Sequence, residues 1–420
     1  MSSPDVVVVG GGAVGLACAL ELARAGASVR VLERDRELAA GCSAGNAGLV
    51  CPSHAAPLAT RTSLLLGLRS LVSRDTPLAL GPRPALVPWL LRFAAAARPS
   101  RERAATDAIR TLALLSHELH AGLNTELGTG LEPRGTLNIF ETEVGLETGL
   151  HEAEAHRAAG IRSERLSPEE ALALEPALGG SIAGAIHYPG ELNGDPAAFV
   201  RALAAAASEA GVVVSPGTEA LSLTVAGGRM TAVEARGEQV EAGEVVVAAG
   251  AWTPRLVAPL GIAVPVEAGK GFHLDYEAAT GDPRMPVFVY ESRAVATSLP
   301  GRLRLTGALA LVGLDLSLDE RRLAAIERVG ARHLSGFDGR RPIETWSGLR
   351  PCSPDGLPII GRPAGLENLV LATGHGMLGF TLAPATGRLV AQLVKGAAPE
   401  LDPAPYEPDR FRDVFLSRVS

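Results

Sequence analysis

The stretch that decides the fold is Val6-Val7-Val8-Val9-Gly10-Gly11-Gly12-Ala13-Val14-Gly15, near the start of the chain. Val6–Val9 is a short, uniformly apolar, β-branched run, which is typical of a parallel strand covered on both faces. The glycines then open a helical stretch that Gly26 stops, and residues 28–32 form a second strand pattern. The sequence therefore predicts a β–α–β unit at this end of the chain.

The glycine spacing in this unit is that of a dinucleotide-binding turn. Gly10 permits a tight turn, Gly12 lets the backbone approach a pyrophosphate, and Gly15 lets helix and strand pack closely, while the helix N-terminus faces the negative charge. Glu33 ends the second strand, about 20 residues after the glycines, where a carboxylate accepts the ribose hydroxyls. The turn alone fits either NAD or FAD.

Length, composition and charge exclude several classes of protein. The chain has 420 residues, enough for one large composite fold or for two cores that share a ligand. It is 47% hydrophobic and 20% charged, which favours a globular protein over a disordered one. Its 39 basic and 46 acidic side chains leave a net charge of −7, which repels a phosphate backbone. We expect no nucleic-acid partner.

The cysteines predict neither disulfides nor a metal. Cys18, Cys42, Cys51 and Cys352 include no C-x-x-C pair, and the Cys51/His54 pair lacks a second pair to complete a zinc site. The N-terminus carries no cationic region before its apolar run, and that run is short and rich in glycine. We expect a cytoplasmic protein without a signal peptide or a membrane span.

An arginine-rich segment leaves open a second location, at the surface of a membrane. Residues 61–103 hold eight arginines against Asp75 and Glu102, in an apolar, helical pattern broken by prolines. A set of covering helices is the favoured interpretation of this segment. The alternative is a peripheral contact with an anionic membrane at its inner face, where basic amphipathic segments bind.

Three strand–glycine–helix junctions favour a flavin. They lie at 10–15, 248–252 and 373–380, more than an NAD site uses. Reduced isoalloxazine carries negative charge at N1/C2=O, and the N-terminus of a helix stabilises such charge, which explains the third junction. Between the junctions, residues 101–127 and 318–333 read as helices and 263–306 alternates like an antiparallel sheet.

Several further motifs carry a family resemblance. They are the nucleotide turn and Glu33, Cys42-Ser43-Ala44-Gly45-Asn46-Ala47-Gly48, Gly135-Thr136-Leu137, Gly194-Asp195, Val245–Gly250, residues 348–361 (Gly-Leu-Arg-Pro-Cys-Ser-Pro-Asp-Gly-Leu-Pro-Ile-Ile-Gly) and Thr373–Thr381. Over nearly the whole chain they resemble the D-amino-acid dehydrogenase branch of the FAD-dependent D-amino-acid oxidase superfamily. The C-terminal motifs are far more specific than the nucleotide turn.

The resemblance implies an α/β fold in which a Rossmann-like FAD-binding domain is interleaved with an α+β substrate domain on a large mixed sheet. The expected division is 1–55, 190–262 and 343–400 for the FAD domain, 56–189 and 263–342 for the substrate domain, and 401–420 for a C-terminal tail, an extended surface strap. The cofactor residues expected from the turn and the resemblance are Gly10, Gly12, Ala13, Val14, Gly15, Glu33, Arg34, Ser43, Ala44, Asn46, Ala47, Gly48, Ala249, Gly250, Gly374, His375, Gly376, Met377, Leu378 and Gly379.

The resemblance also implies a reaction. A small D-amino acid gives its α-hydrogen as hydride to flavin N5, the imino acid hydrolyses to a 2-oxo acid and ammonia, and a quinone or another carrier takes the electrons. Positioning supplies most of such catalysis, so a carboxylate clamp is the part to find. Arg350 in Gly-Leu-Arg is the expected clamp, since a guanidinium binds a carboxylate with two parallel hydrogen bonds.

Further substrate residues are expected around that clamp. Lys270 starts a substrate-domain strand where similar enzymes carry a second cation, and His54 follows the flavin loop as a candidate proton acceptor. Tyr290 is the candidate for closing the pocket. The tyrosine that several relatives carry just after this point is replaced by Arg293-Ala294, and Cys352 lies near the position where some sarcosine oxidases attach FAD covalently.

The sequence leaves three other functions open. One is an oxidase that uses O₂ on glycine, sarcosine or a cyclic imino acid of the D-proline type, and another is a 2-hydroxy acid dehydrogenase of the same superfamily. The third is a protein in which the nucleotide is only structural. Three junctions directed at one ligand, together with a carboxylate clamp, make that third possibility the weakest.

Overall fold

The computed structural model describes residues 3–70 and 77–414. Its helices in chain order are α1 (Ala13–Arg24), α2 (Arg61–Ser70), α3 (Val87–Ala96), α4 (Pro99–Leu127), α5 (Glu143–Ala158), α6 (Pro168–Leu174), α7 (Pro196–Glu209), α8 (Thr253–Val257), α9 (Glu320–His333) and α10 (Gly379–Lys395). Short 3-10 turns connect several of them.

The strands form two large sheets and two small ones. In chain order they are β1 (Val6–Val9), β2 (Val29–Glu33), β3 (Leu49–Val50), β4 (Leu78–Leu80), β5 (Thr136–Phe140), β6 (Glu164–Leu166), β7 (Gly184–Tyr188), β8 (Leu192–Asn193), β9 (Val213–Pro216), β10 (Ala220–Ala226), β11 (Arg229–Ala235), β12 (Glu238–Glu241), β13 (Glu244–Val247), β14 (Glu267–Glu277), β15 (Val287–Val289), β16 (Ala294–Leu299), β17 (Arg302–Leu311), β18 (Pro342–Cys352), β19 (Ile359–Gly361) and β20 (Leu369–Thr373).

The first large sheet has six strands in the order β19-β20-β13-β1-β2-β9. Strand β1 lies between β2 and β13 and is parallel to both. Val6 and Val8 point into one hydrophobic cluster and Val7 and Val9 into another, so both faces of the strand are buried. A strand without a polar face is what the valine run requires.

Helices cover one face of this sheet. Leu16 on α1, Ile109 on α4, Phe199 on α7 and Phe380 on α10 belong to one buried cluster. The opposite face is covered by the small sheet β10-β11-β12 and by the segment around α8. Burial of this apolar surface stabilises the layers by about 25 cal/mol for each Å² removed from water.

The second large sheet is mixed and has nine strands. Its order is β18-β14-β17-β16-β15-β5-β7-β6, and β4 pairs with β17 off this path. Most neighbours are antiparallel, but β5 is parallel to β15 and β4 is parallel to β17. Together with the first sheet, this confirms the predicted fold class, a Rossmann-like domain combined with a large mixed sheet.

The predicted domain division stays a prediction, and two segments pack across it. Residues 343–352 belong to β18 and pair with β14 in the nine-stranded sheet, although they were expected in the FAD domain. Helix α4 was expected in the substrate domain, yet it packs against α10 and α7 beside the six-stranded sheet. Helical periodicity predicts that one face of a helix is apolar and buried, but it does not predict which element packs against that face.

Two local expectations were wrong. In the segment 61–103, where helices interrupted by prolines were expected, Leu78–Leu80 instead forms strand β4 along β17. The tail as far as residue 414, where the described residues end, is not an extended strap, since two 3-10 turns, Ala404–Tyr406 and Pro408–Val414, fold it onto the body. Tyr406 is buried and donates a hydrogen bond of 2.7 Å to the carbonyl of Ala108 on α4.

Within the described residues, the segment Gly376–Lys395 is long and apolar enough to span a membrane by length and composition. In this structure 61% of its most apolar window is buried, and α10 packs against α1 and α4. The segment is therefore a core helix of the fold.

Gly15 offers a direct test of how closely α1 approaches β1. A Cβ at this position would lie 1.9 Å from the carbonyl oxygen of Gly10. We predict that Gly15→Ala lowers the free energy of unfolding by about 2 kcal/mol, because overpacking of this kind forces the backbone apart. Urea denaturation measures the change.

The matched control is Gly122→Ala on α4, where no atom lies within 4 Å of the added methyl group. This variant should be as stable as the parent or more stable by up to about 1 kcal/mol, since alanine favours helix. Equal losses in the two variants would contradict the close contact at Gly15.

Candidate functional site

The first glycine turn brings three segments of backbone together. A Cβ at Gly10 would lie 2.4 Å from the oxygen of Ala248, whereas one at Gly12 would meet only Ser43 Oγ, at 3.2 Å. Gly12 is the N-cap of α1 and has no capping side chain, while Ser43 Oγ accepts a 3.1 Å hydrogen bond from the amide of Ala13. The turn leaves room for an anionic group at this helix N-terminus.

Glu33 lies beside this turn, as predicted. Its carboxylate accepts hydrogen bonds from the amides of Gly11 and Asp35, at 2.6 and 2.9 Å. The guanidinium of the next residue, Arg34, lies 3.6 Å from the centroid of the Trp252 ring, a cation–π contact. The strand end is thus held against the glycine turn and presents a half-buried carboxylate to the space beyond it.

A cavity of about 340 Å³ is lined by all three strand–glycine–helix junctions. The predicted residues that line it are Gly10, Gly12, Ala13, Val14, Gly15, Glu33, Arg34, Ser43, Asn46, Ala249, Gly250, His375, Gly376, Met377, Gly379 and Arg350. The predicted cofactor residues that do not line it are Ala44, Ala47, Gly48, Gly374 and Leu378. Most of the predicted cofactor residues therefore share one cavity.

The second and third junctions are joined to each other and to the flavin loop. Thr373 Oγ1 donates a 3.0 Å hydrogen bond to the carbonyl of Gly250. Asn46 Nδ2 donates to the carbonyl of Met377 at 3.2 Å. Helix α10 begins at Gly379, and its N-cap residue, Leu378, forms no side-chain capping hydrogen bond, so amides at this helix N-terminus remain available to a ligand.

His375 contributes no positive charge to this end of the cavity. Burial lowers the pKa of its imidazole to about 3, and Nε2 lies 2.9 Å from Thr386 Oγ1. The ring is therefore neutral near pH 7. Negative charge at this edge is met by backbone amides and by the dipole of α10.

A buried ion pair between Arg304 and Asp275 fixes the loop from Ser43 to Gly48. Arg304 Nη1 donates hydrogen bonds to the carbonyls of Ala44 and Asn46, at 2.5 and 3.0 Å. Its Nε and Nη2 donate to the two oxygens of Asp275, both at 2.8 Å, and Arg302 also contacts Asp275. This bidentate geometry fixes the guanidinium, and the guanidinium in turn fixes the loop carbonyls.

Trp346 forms a wall of the cavity. Its ring stacks on His273 with centroids 4.9 Å apart and an angle of 9° between the planes. Burial lowers the pKa of His273 to about 4, so the stacked imidazole is neutral near pH 7. A Cβ on Gly45 or on Gly348 would overlap the Trp346 ring, at 2.2 and 1.9 Å, so both positions require glycine.

Arg350 lines the same cavity, two strand positions beyond Gly348. Its Nη1 donates a 2.8 Å hydrogen bond to the carbonyl of Ala308, and the missing Cβ of Gly271 leaves space for its guanidinium. Among the described residues no carboxylate forms an ion pair with Arg350. The guanidinium therefore retains donors for a carboxylate that enters the cavity.

Lys270 does not join Arg350. Its Nζ donates to Asp315 Oδ2 at 2.7 Å and to the carbonyl of Ser317 at 2.8 Å, and the residue is buried away from the cavity lining. Strand alternation explains the difference, because Gly271 and His273 on β14 face the cavity residues and Lys270 points to the opposite face. The structure thus places Lys270 outside this lining and pairs it with Asp315, and its role as a second substrate cation stays a prediction.

His54 and Tyr290 are also absent from the cavity lining. His54 Nε2 lies 3.1 Å from Asn138 Oδ1, and its ring packs 4.8 Å from that of Phe288. The hydroxyl of Tyr290 donates to Glu152 on α5 at 2.8 Å, and burial raises the pKa of this phenol above its usual range. The structure does not bring either side chain to Arg350.

Cys352 has no features of a covalent flavin attachment. The thiol is buried, and burial raises its pKa to about 12, so it is protonated near neutral pH. Thiolate is the reactive form of cysteine, and this environment disfavours it.

Two helix N-termini at one cavity suit a ligand with a pyrophosphate near one end and an electron-accepting ring at the other. FAD fits this arrangement, with its pyrophosphate at α1, its ribose at Glu33 and its ring edge at α10. The fold and site together define a flavin-dependent oxidoreductase. The chain belongs to the FAD dependent oxidoreductase family (DAO), whose sequence profile matches residues 5–393. FAD is its cofactor.

Relatives of known name cover nearly all of the chain. A D-amino acid dehydrogenase of Xanthobacter autotrophicus is 35% identical, with 97% of this chain and 99% of the relative covered. A D-amino acid dehydrogenase of Methylobacterium radiotolerans is 37% identical, over 94% and 97% of the two chains.

Solved structures share the architecture. The crystal structure of glycine oxidase from Geobacillus kaustophilus superimposes with a TM-score of 0.79 at 26% identity, over 97% and 99% of the two chains. The L-proline dehydrogenase from P.horikoshii gives a TM-score of 0.80 at 22% identity, over 98% of each chain, and is similar in fold.

Trp346, Arg304 and Asp275 belong to the site but were not predicted from the sequence. Trp346 carried a usable signal, because it precedes Arg350 by four residues on one strand and therefore shares its face. Arg304 and Asp275 carried none, since their pairing depends on the register of β14 with β17.

Arg304 tests how the flavin loop is positioned. We predict that Arg304→Met weakens FAD binding about tenfold, because loss of charge-assisted hydrogen bonds to the loop costs about 1.5 kcal/mol or more. The dissociation constant of FAD from the apoprotein, followed by flavin fluorescence, measures the effect.

Arg302→Met is the matched control, since Arg302 contacts the same Asp275 but forms no hydrogen bond to Ala44 or Asn46. This variant should bind FAD about as tightly as the parent. Comparable weakening in both variants would show that the loop does not depend on Arg304 specifically.

Proposed function

We propose that this protein catalyses the oxidative deamination of a D-amino acid to a 2-oxo acid and ammonia, and that a membrane quinone or another carrier accepts the electrons. One observation carries the proposal: the guanidinium of Arg350 lines the FAD cavity without a carboxylate partner among the described residues. The curated relatives named D-amino acid dehydrogenase support the choice of substrate.

Binding begins with the carboxylate of the substrate at Arg350. The hydrogen bond from Nη1 to Ala308 fixes the plane of the guanidinium and leaves the other donors for the substrate. Trp346, stacked on His273, closes one side of the cavity and limits the positions that the α-carbon can take. Positioning of this kind supplies much of the rate acceleration in such reactions.

FAD supplies the hydride acceptor at flavin N5 when it is bound. The described lining contains no lysine, and its histidine, His375, is neutral and directed to Thr386. The substrate amine therefore loses its proton to solvent before the substrate enters the cavity, and the substrate arrives with a neutral amine. The role of the protein is to orient the substrate and to exclude water.

Arg350→Ala tests this assignment. We predict that anaerobic bleaching of the flavin by D-amino acids slows by about 100-fold or more, because loss of a desolvated charge pair costs about 2–5 kcal/mol. The FAD content should not change. Arg350→Lys should recover only part of the rate, since an ammonium is a point charge without the planar fork.

Lys270→Met is the matched control, because this cation lies outside the cavity lining. It should retain the apparent affinity for substrate. Fast bleaching by D-amino acids in Arg350→Ala would remove Arg350 from the site. A keto product without ammonia would indicate a 2-hydroxy acid dehydrogenase, and stoichiometric peroxide under air would indicate an oxidase.

The exposed surface around α2 and α3 supports an acceptor in the membrane. Leu65, Val87 and Leu91 are 63%, 51% and 55% exposed, and they lie in the arginine-rich segment 61–103. Arg61 and Arg98 are exposed in the same segment. Apolar side chains flanked by cations suit the surface of an anionic bilayer, where each cation contributes about 1 kcal/mol. We propose that the protein contacts the inner face of the membrane through this surface, and that it is a cytoplasmic protein bound peripherally there.

Vesicle sedimentation tests the membrane contact. The holoenzyme should bind phosphatidylglycerol vesicles more tightly than phosphatidylcholine vesicles, and Leu65→Asp with Leu91→Asp should weaken binding about tenfold or more. Val144→Asp on α5, at a position 73% exposed, is the control and should bind normally. Absence of binding, or equal loss in the control, would contradict this surface.

A further inference from the structure

A second cluster of reactive side chains lies outside the FAD cavity. Strand β3 pairs with β8, with Leu49 opposite Asn193 and Val50 opposite Leu192. Continuing this register places Cys51 opposite Glu191, and the following 3-10 turn adds His54. One ligand atom from each of these three residues lies within 4.8 Å of the other two.

Two buried polar atoms in this cluster have no partner. Glu191 is 2% exposed, and its Oε1 accepts a 3.0 Å hydrogen bond from the amide of Ser53. Its Oε2 has no hydrogen-bond partner, and neither has Ser53 Oγ. Among the described residues no lysine or arginine forms an ion pair with Glu191. A buried carboxylate in this situation is costly unless a cation compensates it.

The donor set is that of a transition-metal site. Thiolate, imidazole and carboxylate are the three ligand types that zinc uses, and three protein ligands leave a fourth position for water. Asn138 Oδ1 lies 3.1 Å from Nε2 of His54 and orients the ring, as an outer-shell partner of a metal ligand does. Ligands at about 2.0–2.3 Å from zinc lie about 3.5 Å apart, so a pair of ligand atoms at the 4.8 Å limit would have to approach by about 1.3 Å.

We propose that Cys51, His54 and Glu191 bind one Zn²⁺-class divalent cation, separately from the FAD cavity. Cys51 binds as the thiolate and its proton passes to solvent. The ion neutralises the buried carboxylate of Glu191 and ties the turn after the flavin loop to the strand β8. The Cys51/His54 pair seemed incomplete in the sequence because its third ligand comes from a distant segment.

Zinc binding to the holoenzyme tests the proposal. The FAD-loaded protein is stripped with a chelator, titrated with Zn²⁺ alone, and its bound zinc and melting temperature are measured. One zinc per chain and a rise in melting temperature are expected, because a ligand that binds the folded state stabilises it.

Cys51→Ser and Glu191→Gln should each weaken zinc binding at least tenfold and abolish the rise in melting temperature. Cys18→Ser is the matched control, since Cys18 is an equally buried free thiol on α1, and it should bind zinc like the parent. Unchanged zinc affinity in Cys51→Ser or Glu191→Gln would show an adventitious ion only and would overturn the proposal.

A measurement on the parent protein keeps the proposal testable if a variant does not fold. Co²⁺ in place of zinc should give tetrahedral d–d absorption at longer wavelength than the flavin bands, together with a thiolate charge-transfer contribution. A spectrum of octahedral Co²⁺ without sulfur coordination would overturn the site. Turnover of D-amino acids is not part of either readout, so failure here leaves the proposed activity unaffected.

Discussion

The close approach of α1 to the end of β1 is the constraint on which the site depends. A Cβ at Gly15 would lie 1.9 Å from the carbonyl of Gly10, and one at Gly387 on α10 would lie 2.6 Å from the backbone of Ala17. Helix α1 is thus held between the sheet and α10 at distances that only glycine permits. Because both contacts are tight, the N-termini of α1 and α10 reach the same cavity.

In the described part of the chain, the flavin end of that cavity has no charged histidine, whereas the substrate end has the cationic side chain of Arg350. Burial keeps His273 and His375 neutral, so the flavin end offers amides and helix dipoles instead of cations. Arg350 forms no ion pair with a carboxylate among the described residues, and it retains guanidinium donors besides the one that Nη1 gives to Ala308. Helix dipoles and amides therefore stabilise the negative edge of the flavin ring, whereas a guanidinium binds the carboxylate of the substrate.

The sequence predicted the parts of the fold that depend on local chain geometry. The valine run, the glycine spacing and the terminal glutamate describe one β–α–β unit, and all three lie where that unit requires. Arg350 was predicted from its motif and lies in the cavity lining, its role as the substrate clamp stays a prediction, and strand periodicity places Trp346 on the same face. Lys270 lies on β14, which pairs with the strand of Arg350, but its side chain points away from the cavity. Side chains alternate between the two faces of a strand, and the motif around Lys270 did not indicate which face would meet the cavity.

Glycine spacing, hydrophobic period and helix termini determined by themselves that this chain binds a dinucleotide in a Rossmann-like domain, because these signals act over a few residues. Tertiary structure alone decided that Arg304 holds the flavin loop through Asp275, and that Glu191 faces Cys51 and His54. Such pairings join residues far apart in the chain. Strand register and packing set them, and no local pattern in the sequence encodes which distant strand will lie alongside.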